Sequence, residues 1–386
     1  MDFSLTEEQR AIEDAIGDIC DKYGDDYWLR SDTEKKFPYE FAEELTKAGW
    51  MGVTMPQEYG GAGLGITEAA IILKRIGRLG GSATSSVHIN LFGPHPVVVF
   101  GTPEQKKRML PPLIAGKDRT TFGVTEPNVG LDTLRLKTFA VRKGDRYIVN
   151  GQKVWNSTAQ IANKILLITR TTKYEDAARP TEGLTLFYTD FDRSKITVRE
   201  IEKMGRNGVD SNEIFIDGLE IPVEDRIGEE GKGFTYLLHG LNPERVMGAA
   251  GFIGAGQAVI DKAAKYAKER IVFNRPIGMN QGIQHPLADC WMRLQAAETM
   301  MFKAASLYDA NKPCGLEANT AKYLAGDAYF ESAARAVRTH GGFGYAKEFH
   351  VERYYREAIL GLIAPISHEL ILSHIAERAL GLPKSY

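Results

Sequence analysis

Phe122-Gly123-Val124-Thr125-Glu126-Pro127 and Gly151-Gln152-Lys153-Val154-Trp155-Asn156-Ser157 are the two strings on which the reading of this chain turns. Both fall in the one region, beginning near Arg119, where β-branched and aromatic residues run between turn signals. The runs 120–126, 138–142, 146–150, 152–156, 164–171, 184–191, 196–202 and 213–217 predict short strands in a compact β domain. Asn150-Gly151 has the composition of a tight hairpin turn. A strand ending in Val124-Thr125 and another carrying Trp155 and Ser157 can wall a pocket for a flat ring. Trp supplies a stacking face, and Thr125, Ser157 and backbone amides meet a polar edge. Taken alone, the default reading of Trp155 is a core aromatic on a strand.

On either side the apolar period becomes helical. Thr6 with Gln9 predicts a capping box ahead of Ile12, Ile16, Ile19 and Cys20. Phe41, Leu45 and Ala48 repeat the period and Gly49 stops it. Thr67 with Glu68 is expected to open a helix carrying Ile71, Ile72 and Ile76, and Thr102-Pro103 another. Beyond Gly233 the predicted helices are long, at 234–270, 283–311, 317–339 and 366–380, with a break at Asn311–Gly315. Short connections favour antiparallel neighbours. The expected fold is therefore α+β: an N-terminal helical domain over 1–118, a middle β-barrel-like domain over 119–228, and a C-terminal four-helix bundle over 229–386.

A formal net charge of −2 over 386 residues gives no electrostatic reason to expect nucleic acid or an anionic membrane as partner. Cys20, Cys290 and Cys314 lie far apart with no CxxC spacing, against a zinc site or disulfide framework. The acidic start, Met1 to Glu8, lacks the features of a signal or transit peptide, and no apolar run reads as long enough to cross a membrane. A cytoplasmic location is the expectation. Gly60-Gly61-Ala62-Gly63-Leu64-Gly65 lacks both the spacing and the preceding strand of a dinucleotide fingerprint, and reads as a loop.

Two further strings join the first pair. Glu269-Arg270-Ile271-Val272-Phe273 leads to Pro276-Ile277-Gly278 and Gln284, and His340-Gly341-Gly342-Phe343-Gly344-Tyr345 follows a helix. The arginine fork suits a pyrophosphate, and paired glycines admit a close ligand. Read blandly, these are a solvated arginine and a helix-ending turn. In order and spacing, the strings resemble the acyl-CoA dehydrogenase family over essentially the whole chain. The resemblance implies FAD, with Phe122, Val124, Thr125, Trp155 and Ser157 at the flavin ring. Arg270, Phe273, Gln284, Arg338, Gly341 and Gly342 would hold the dinucleotide part, with Ser367 near the cofactor. Because family members use the arginine and glycine turn on a neighbouring subunit's flavin, it also implies a homodimer or homotetramer. Leu131 stands where the family usually has a serine near the thioester, and Arg338 where glutamine is usual.

The reaction implied by the resemblance removes the α-proton of an acyl thioester as hydride leaves the β-carbon. It requires a carboxylate in a dry pocket and donors for the thioester oxygen. The usual family glutamate would fall at Pro365, which also lacks the N–H expected there. Members resembling isovaleryl-CoA dehydrogenase carry the base earlier, before an arginine, and Glu244 in Asn242-Pro243-Glu244-Arg245 occupies that position. The bland reading makes Asn242 an N-cap, Pro243 the first helical residue and Glu244 a first-turn acid. On the resemblance, Glu244 is the base, and Asn242, Arg245 and Leu131 are substrate contacts. Electrons would pass to an electron-transfer flavoprotein. The same fold also serves flavin monooxygenases, and a non-catalytic acyl-CoA-binding subunit is a third reading.

Overall fold

The computed structural model describes residues 4–92 and 94–385. The N-terminal helices are α1 (Glu7–Cys20), α2 (Asp25–Glu34), α3 (Tyr39–Lys47), α4 (Ile66–Gly77), α5 (Gly81–Phe92), α6 (His95–Phe100) and α7 (Pro103–Ile114). Local chemistry sets several starts. Thr6 accepts the Gln9 N–H at 3.2 Å while the Gln9 side chain accepts the Thr6 N–H at 3.1 Å. Thr102 and Gln105 repeat that reciprocal cap, with Pro103 in the first turn. The helix expected to open at Thr67 instead has Gly65 as its N-cap. Its Ile66 and Thr67 N–H groups donate to the Asp309 carboxylate at 2.8 and 2.9 Å. That cap comes from the end of a distant helix, which no local pattern reveals.

The middle of the chain forms an eight-stranded sheet: β1 (Thr120–Gly123), β2 (Phe139–Lys143), β3 (Arg146–Ser157), β4 (Lys164–Arg170), β5 (Leu184–Asp190), β6 (Ile196–Glu200), β7 (Ser211–Pro222) and β8 (Arg226–Ile227). The order is β6-β7-β3-β2-β4-β5-β8, with β1 parallel to β4 and Phe122 opposite Leu166. Strands β4 and β5 are buried along almost their whole length, with mainly apolar residues, because both faces are covered. Ile165, Leu167 and Phe187 pack into one core with Tyr147, Val149 and Ile214. Leu166, Ile168, Leu186 and Tyr188 pack into another with Met109, Leu110 and Leu113 of α7.

The hairpin expected at Asn150-Gly151 is absent. Residues 146–150 and 152–156 form one strand, and the turn joining β2 to β3 lies at Gly144-Asp145, where Lys143 pairs with Arg146. Gly151, at φ +156, marks a register shift against β7, which pairs with β3 on both sides of it. A Cβ there would lie 2.4 Å from Thr138 Oγ1, so glycine serves a bulge and a close approach.

The C-terminal part comprises α8 (Gly233–Glu269), a small antiparallel ribbon of β9 (Ile271–Val272) and β10 (Arg275–Pro276), and then α9 (Gln281–Asp309), α10 (Gly315–His340), α11 (Val351–Ala358), α12 (Leu360–Ile363) and α13 (His368–Arg378). Helices α8, α9 and α10 pack on one another, α13 packs on α10, and α4 crosses α8 and α9. One core therefore joins Ile72 and Ile76 to Val246, Ile253, Met301 and Tyr329. The stretch Val351–Arg378 does meet length and composition criteria for a membrane span, contrary to expectation. It is divided among α11, α12 and α13, and it carries buried Arg353 and Glu357.

Candidate active site

Side chains tie the ends of β1 and β3 together. Asn156 donates to the Phe122 carbonyl, and Thr121 Oγ1 donates to the Ser157 carbonyl at 2.7 Å. The Val154 N–H donates to the Thr125 carbonyl at 2.9 Å. Phe122, Val124, Thr125, Trp155 and Ser157 are thereby brought together. Trp155 is no core aromatic: it is 60% exposed and sits at φ +64, beside a second register shift in β3. A bulky residue in that conformation is strained. Its exposed indole beside the threonine and serine fits a flat aromatic ring, as the sequence suggests.

Sequence reasoning missed what holds this corner. Lys153 is fully buried and reaches the Glu126 carboxylate at 3.0 Å and the Val124 carbonyl at 3.1 Å. Glu126 also accepts the Lys137 and Thr138 N–H groups at 2.6 and 2.9 Å, pinning the loop after Pro127 to the strand. Burial pushes the Lys153 ammonium down to about 8, with Glu126 opposing. Burial works to raise Glu126, but Lys153 and those N–H donors hold it below the ordinary value. A lysine at an inward strand position is the signal that was available. Leu131, farther along the loop, is exposed.

Helix α8 runs unbroken through Pro243, so Asn242 is not its N-cap and Glu244 is not in its first turn. Glu244 is half-buried well inside the helix, and burial pushes its carboxyl up to about 7, with Arg245 opposing. Arg245 donates to Asn242 Oδ1 at 3.2 Å, so these three expected residues form one group. Its charge also acts on Lys322 of α10 and His374 of α13. Lys322 is buried and donates to the Ile366 carbonyl at 2.5 Å, fixing the Ala364–Ser367 loop beside this group. Burial and Arg245 push Lys322 down to about 8, with Glu369 opposing. Ser367 Oγ accepts the Leu370 N–H at 3.3 Å and caps α13. The sequence pattern gave no sign of Lys322, which sits in an ordinary helical period.

The Trp155 corner and Glu244 approach each other through Phe92. Its ring meets Phe122 edge-on at 6.1 Å, and a Cβ on Gly240, one turn before Glu244, would lie 3.1 Å from it. The remaining expected cofactor residues lie elsewhere. Arg270, just past the end of α8, is about 40 Å along the helix from Glu244. Its guanidinium lies over the Phe343 ring at 5.5 Å, beside the exposed Gly341-Gly342 turn that follows Arg338. Neither Gly341 nor Gly342 would bring a Cβ within 4 Å of another group, so the turn offers open backbone. Gln284 donates to the Gly278 carbonyl at 2.7 Å, and Phe273, at φ +53, is 94% exposed. The chain thus presents two separated sets, the Trp155 corner and an open arginine–glycine rim.

The chain matches the acyl-CoA dehydrogenase N-terminal, middle and C-terminal domains over residues 6–117, 121–219 and 231–380. With relatives aligned from end to end, it belongs to the acyl-CoA dehydrogenase family, flavoproteins that act as oxidoreductases on CH–CH bonds. It is 34% identical over 386 residues to the acyl-CoA dehydrogenase FadE12 of Mycobacterium tuberculosis, covering 100% of this chain and 99% of that protein. It is 35% identical over 326 residues to the caffeyl-CoA reductase-Etf complex subunit CarC of Acetobacterium woodii, covering 83% and 84%. The solved complex of glutaryl-CoA dehydrogenase with glutaryl-CoA matches with a TM-score of 0.94 at 31% identity, covering 100% of this chain and 98% of that one.

Proposed function

We propose that this chain is an FAD-dependent acyl-CoA dehydrogenase that converts a saturated acyl-CoA into a 2-enoyl-CoA, with Glu244 as the α-proton base. The observation that carries this reading is the Glu244 carboxyl itself, raised to about 7 by burial on α8 beside Arg245 and Asn242. A base with that proton affinity is half-ionised near neutral pH and is matched to removing a weakly acidic proton. Arg245, adjacent and hydrogen-bonded to Asn242, limits how far burial can raise it. This placement resembles that of isovaleryl-CoA dehydrogenase.

The bound flavin supplies the two-electron acceptor for the β-hydride. Trp155, Thr125 and Ser157 position its ring, while Arg270, Phe273, Gln284 and the 338–342 turn serve the dinucleotide part on a neighbouring subunit. The separation of these two sets supports a homodimer or homotetramer. Lys322 holds the Ala364–Ser367 loop through the Ile366 carbonyl, and we assign the missing donor role at the thioester oxygen to the Ile366 N–H. A thioester-bound structure with no protein donor at the thioester oxygen would reject that assignment. CarC is named as part of a reductase-Etf complex, which supports an electron-transfer flavoprotein as partner. It also supports a second reading of the same site, in which an enoyl-CoA is reduced. A cytoplasmic location remains part of the proposal.

Flavin-loaded protein, mixed anaerobically with straight, branched and cyclic acyl-CoAs, is expected to lose its oxidised flavin absorbance with at least one of them. Glu244→Gln is expected to slow that bleaching by roughly 10²–10⁴-fold. Bleaching that persists in the variant removes Glu244 from the role. No bleaching with any thioester rejects the dehydrogenase. Oxygen uptake by the reduced flavin would then mark a monooxygenase, and thioester binding alone a non-catalytic subunit.

A further inference from the structure

The face of α8 that carries Glu244 continues through Gly248 to Phe252, one turn apart each time, over about 12 Å. Gly248 differs from the other glycines on this helix. A Cβ on Gly251 or Gly254 would press on Thr84 or on the Lys74 carbonyl, whereas one on Gly248 would meet nothing within 4 Å. Open space therefore lies beside α8 at Gly248, one turn past Glu244.

Beside Phe252, Arg206 gathers Ser85 and His88 around it. Arg206 comes from the loop between β6 and β7, lies over the Phe252 ring at 5.7 Å and donates from Nη1 to Ser85 Oγ at 3.0 Å. Its Nε is buried with no hydrogen-bond partner, as is Nε2 of His88, one turn beyond Ser85 on α5. Burial, and secondarily Arg206 itself, push the His88 imidazole down to about 4, so it is neutral. Glu357 supplies a counter-charge to Arg206, but its carboxylate accepts the Gly81 N–H at 2.6 Å and the Ser82 hydroxyl at 3.4 Å.

The local backbone accommodates the guanidinium in this position. Arg206 has φ +56, and a Cβ on Gly81 would lie 2.5 Å from its Nε. Phe92 stacks on His88 at 5.9 Å and reaches Phe122 at 6.1 Å, linking this group to the ring-binding corner. Buried polar atoms without partners are costly to the fold, and an oxygen acceptor at that point would satisfy the Arg206 Nε–H and, in its Nε2–H tautomer, His88.

We propose that Arg206, His88 and Ser85 form a polar subsite at the inner end of the acyl cleft, which selects acyl-CoA substrates whose chain ends in an oxygen acceptor, a carboxylate or a hydroxyl. This rests on the acyl-CoA dehydrogenase reading and specifies its substrate class. An arginine fork and a neutral imidazole both present N–H donors, and the surrounding aromatic rings exclude water from the intervening chain.

The test uses the flavin-loaded full chain. Calorimetry compares 2-enoyl-CoA thioesters of matched length ending in carboxylate, hydroxyl or methyl, and flavin bleaching compares the corresponding saturated thioesters. One polar-ended series is expected to bind roughly 10- to 100-fold more tightly than the methyl-ended series. Arg206→Met and His88→Leu should each collapse that ratio toward unity. If Arg206→Met does not fold, His88→Leu decides. Preference for carboxylate defines an anion site, and preference for hydroxyl a neutral one. Equal affinity for all three endings, or a ratio unchanged in the folded variants, overturns the subsite. Bleaching by methyl-ended chains without a polar preference rejects the subsite and leaves the dehydrogenase standing. Polar-selective binding with no bleaching by any thioester does the reverse.

Discussion

Glu244 owes its proton affinity to its place on α8, and that place sets its pH behaviour. Its carboxyl moves from 4.5 to about 7 on folding. The bleaching rate should therefore rise through pH 7 and level off above it, a profile to be read in anaerobic stopped-flow traces and lost in Glu244→Gln. Stability has the opposite sign. The protonated group's favourable contribution is complete below pH 4.5 and is lost as pH rises through about 7. Glu244→Gln should therefore gain stability relative to wild type at pH 8 compared with pH 4, as urea midpoints would register. Lys153 makes a second residue-scale case, because its carboxylate partner Glu126 is buried with it. Lys153→Met leaves Glu126 charged without its cation and should cost about 3–5 kcal/mol in urea unfolding.

Among the elements, the irregularities in β3 matter more than its regular pairing. Register shifts at Gly151 and between Lys153 and Asn156 turn Lys153 inward and Trp155 outward along the same strand. Because Trp155 is exposed and strained, Trp155→Ala should change stability by only about 0.5 kcal/mol. It should nevertheless weaken FAD retention, measured by flavin release on dilution. The β9–β10 ribbon carries the other conspicuous aromatic. Phe273 stands at its tip with Asn274, both at positive φ, and Ile271 and Phe343 are also exposed. Phe273→Asp should shift the protein to smaller species in light scattering coupled to gel filtration, and an unchanged mass would remove this ribbon from the subunit interface.

At the scale of the whole molecule, the first and last thirds of the chain share one core, and its tightest joint is the crossing of α4 over α8. A Cβ on Gly254 would lie 1.9 Å from the Lys74 carbonyl, and one on Gly77 would lie 2.4 Å from the Gly251 carbonyl. Gly254→Ala must separate the helices and should cost about 1–3 kcal/mol in thermal or urea unfolding. The same displacement would widen the cleft alongside Gly248, so acyl-CoA affinity should fall as well.

The sequence by itself determined the succession of helix, sheet and helix, because apolar period and capping chemistry are local properties. Thr6 with Gln9, Thr102 with Pro103, and the extent of the long helices were legible for that reason. It also marked Glu244, Trp155 and Arg270, whose residue types and spacing carry the family resemblance. Asn150-Gly151 misled because a turn dipeptide and a bulge share the same composition, and only the continuous β7 partner decides between them. The Glu244 environment, the Asp309 cap, the Lys153–Glu126 pair, the Lys322 clamp and the meeting of His88 with Arg206 belong to the tertiary structure. Each joins segments far apart in the chain, and burial, charge separation and partner geometry exist only once those segments are packed together.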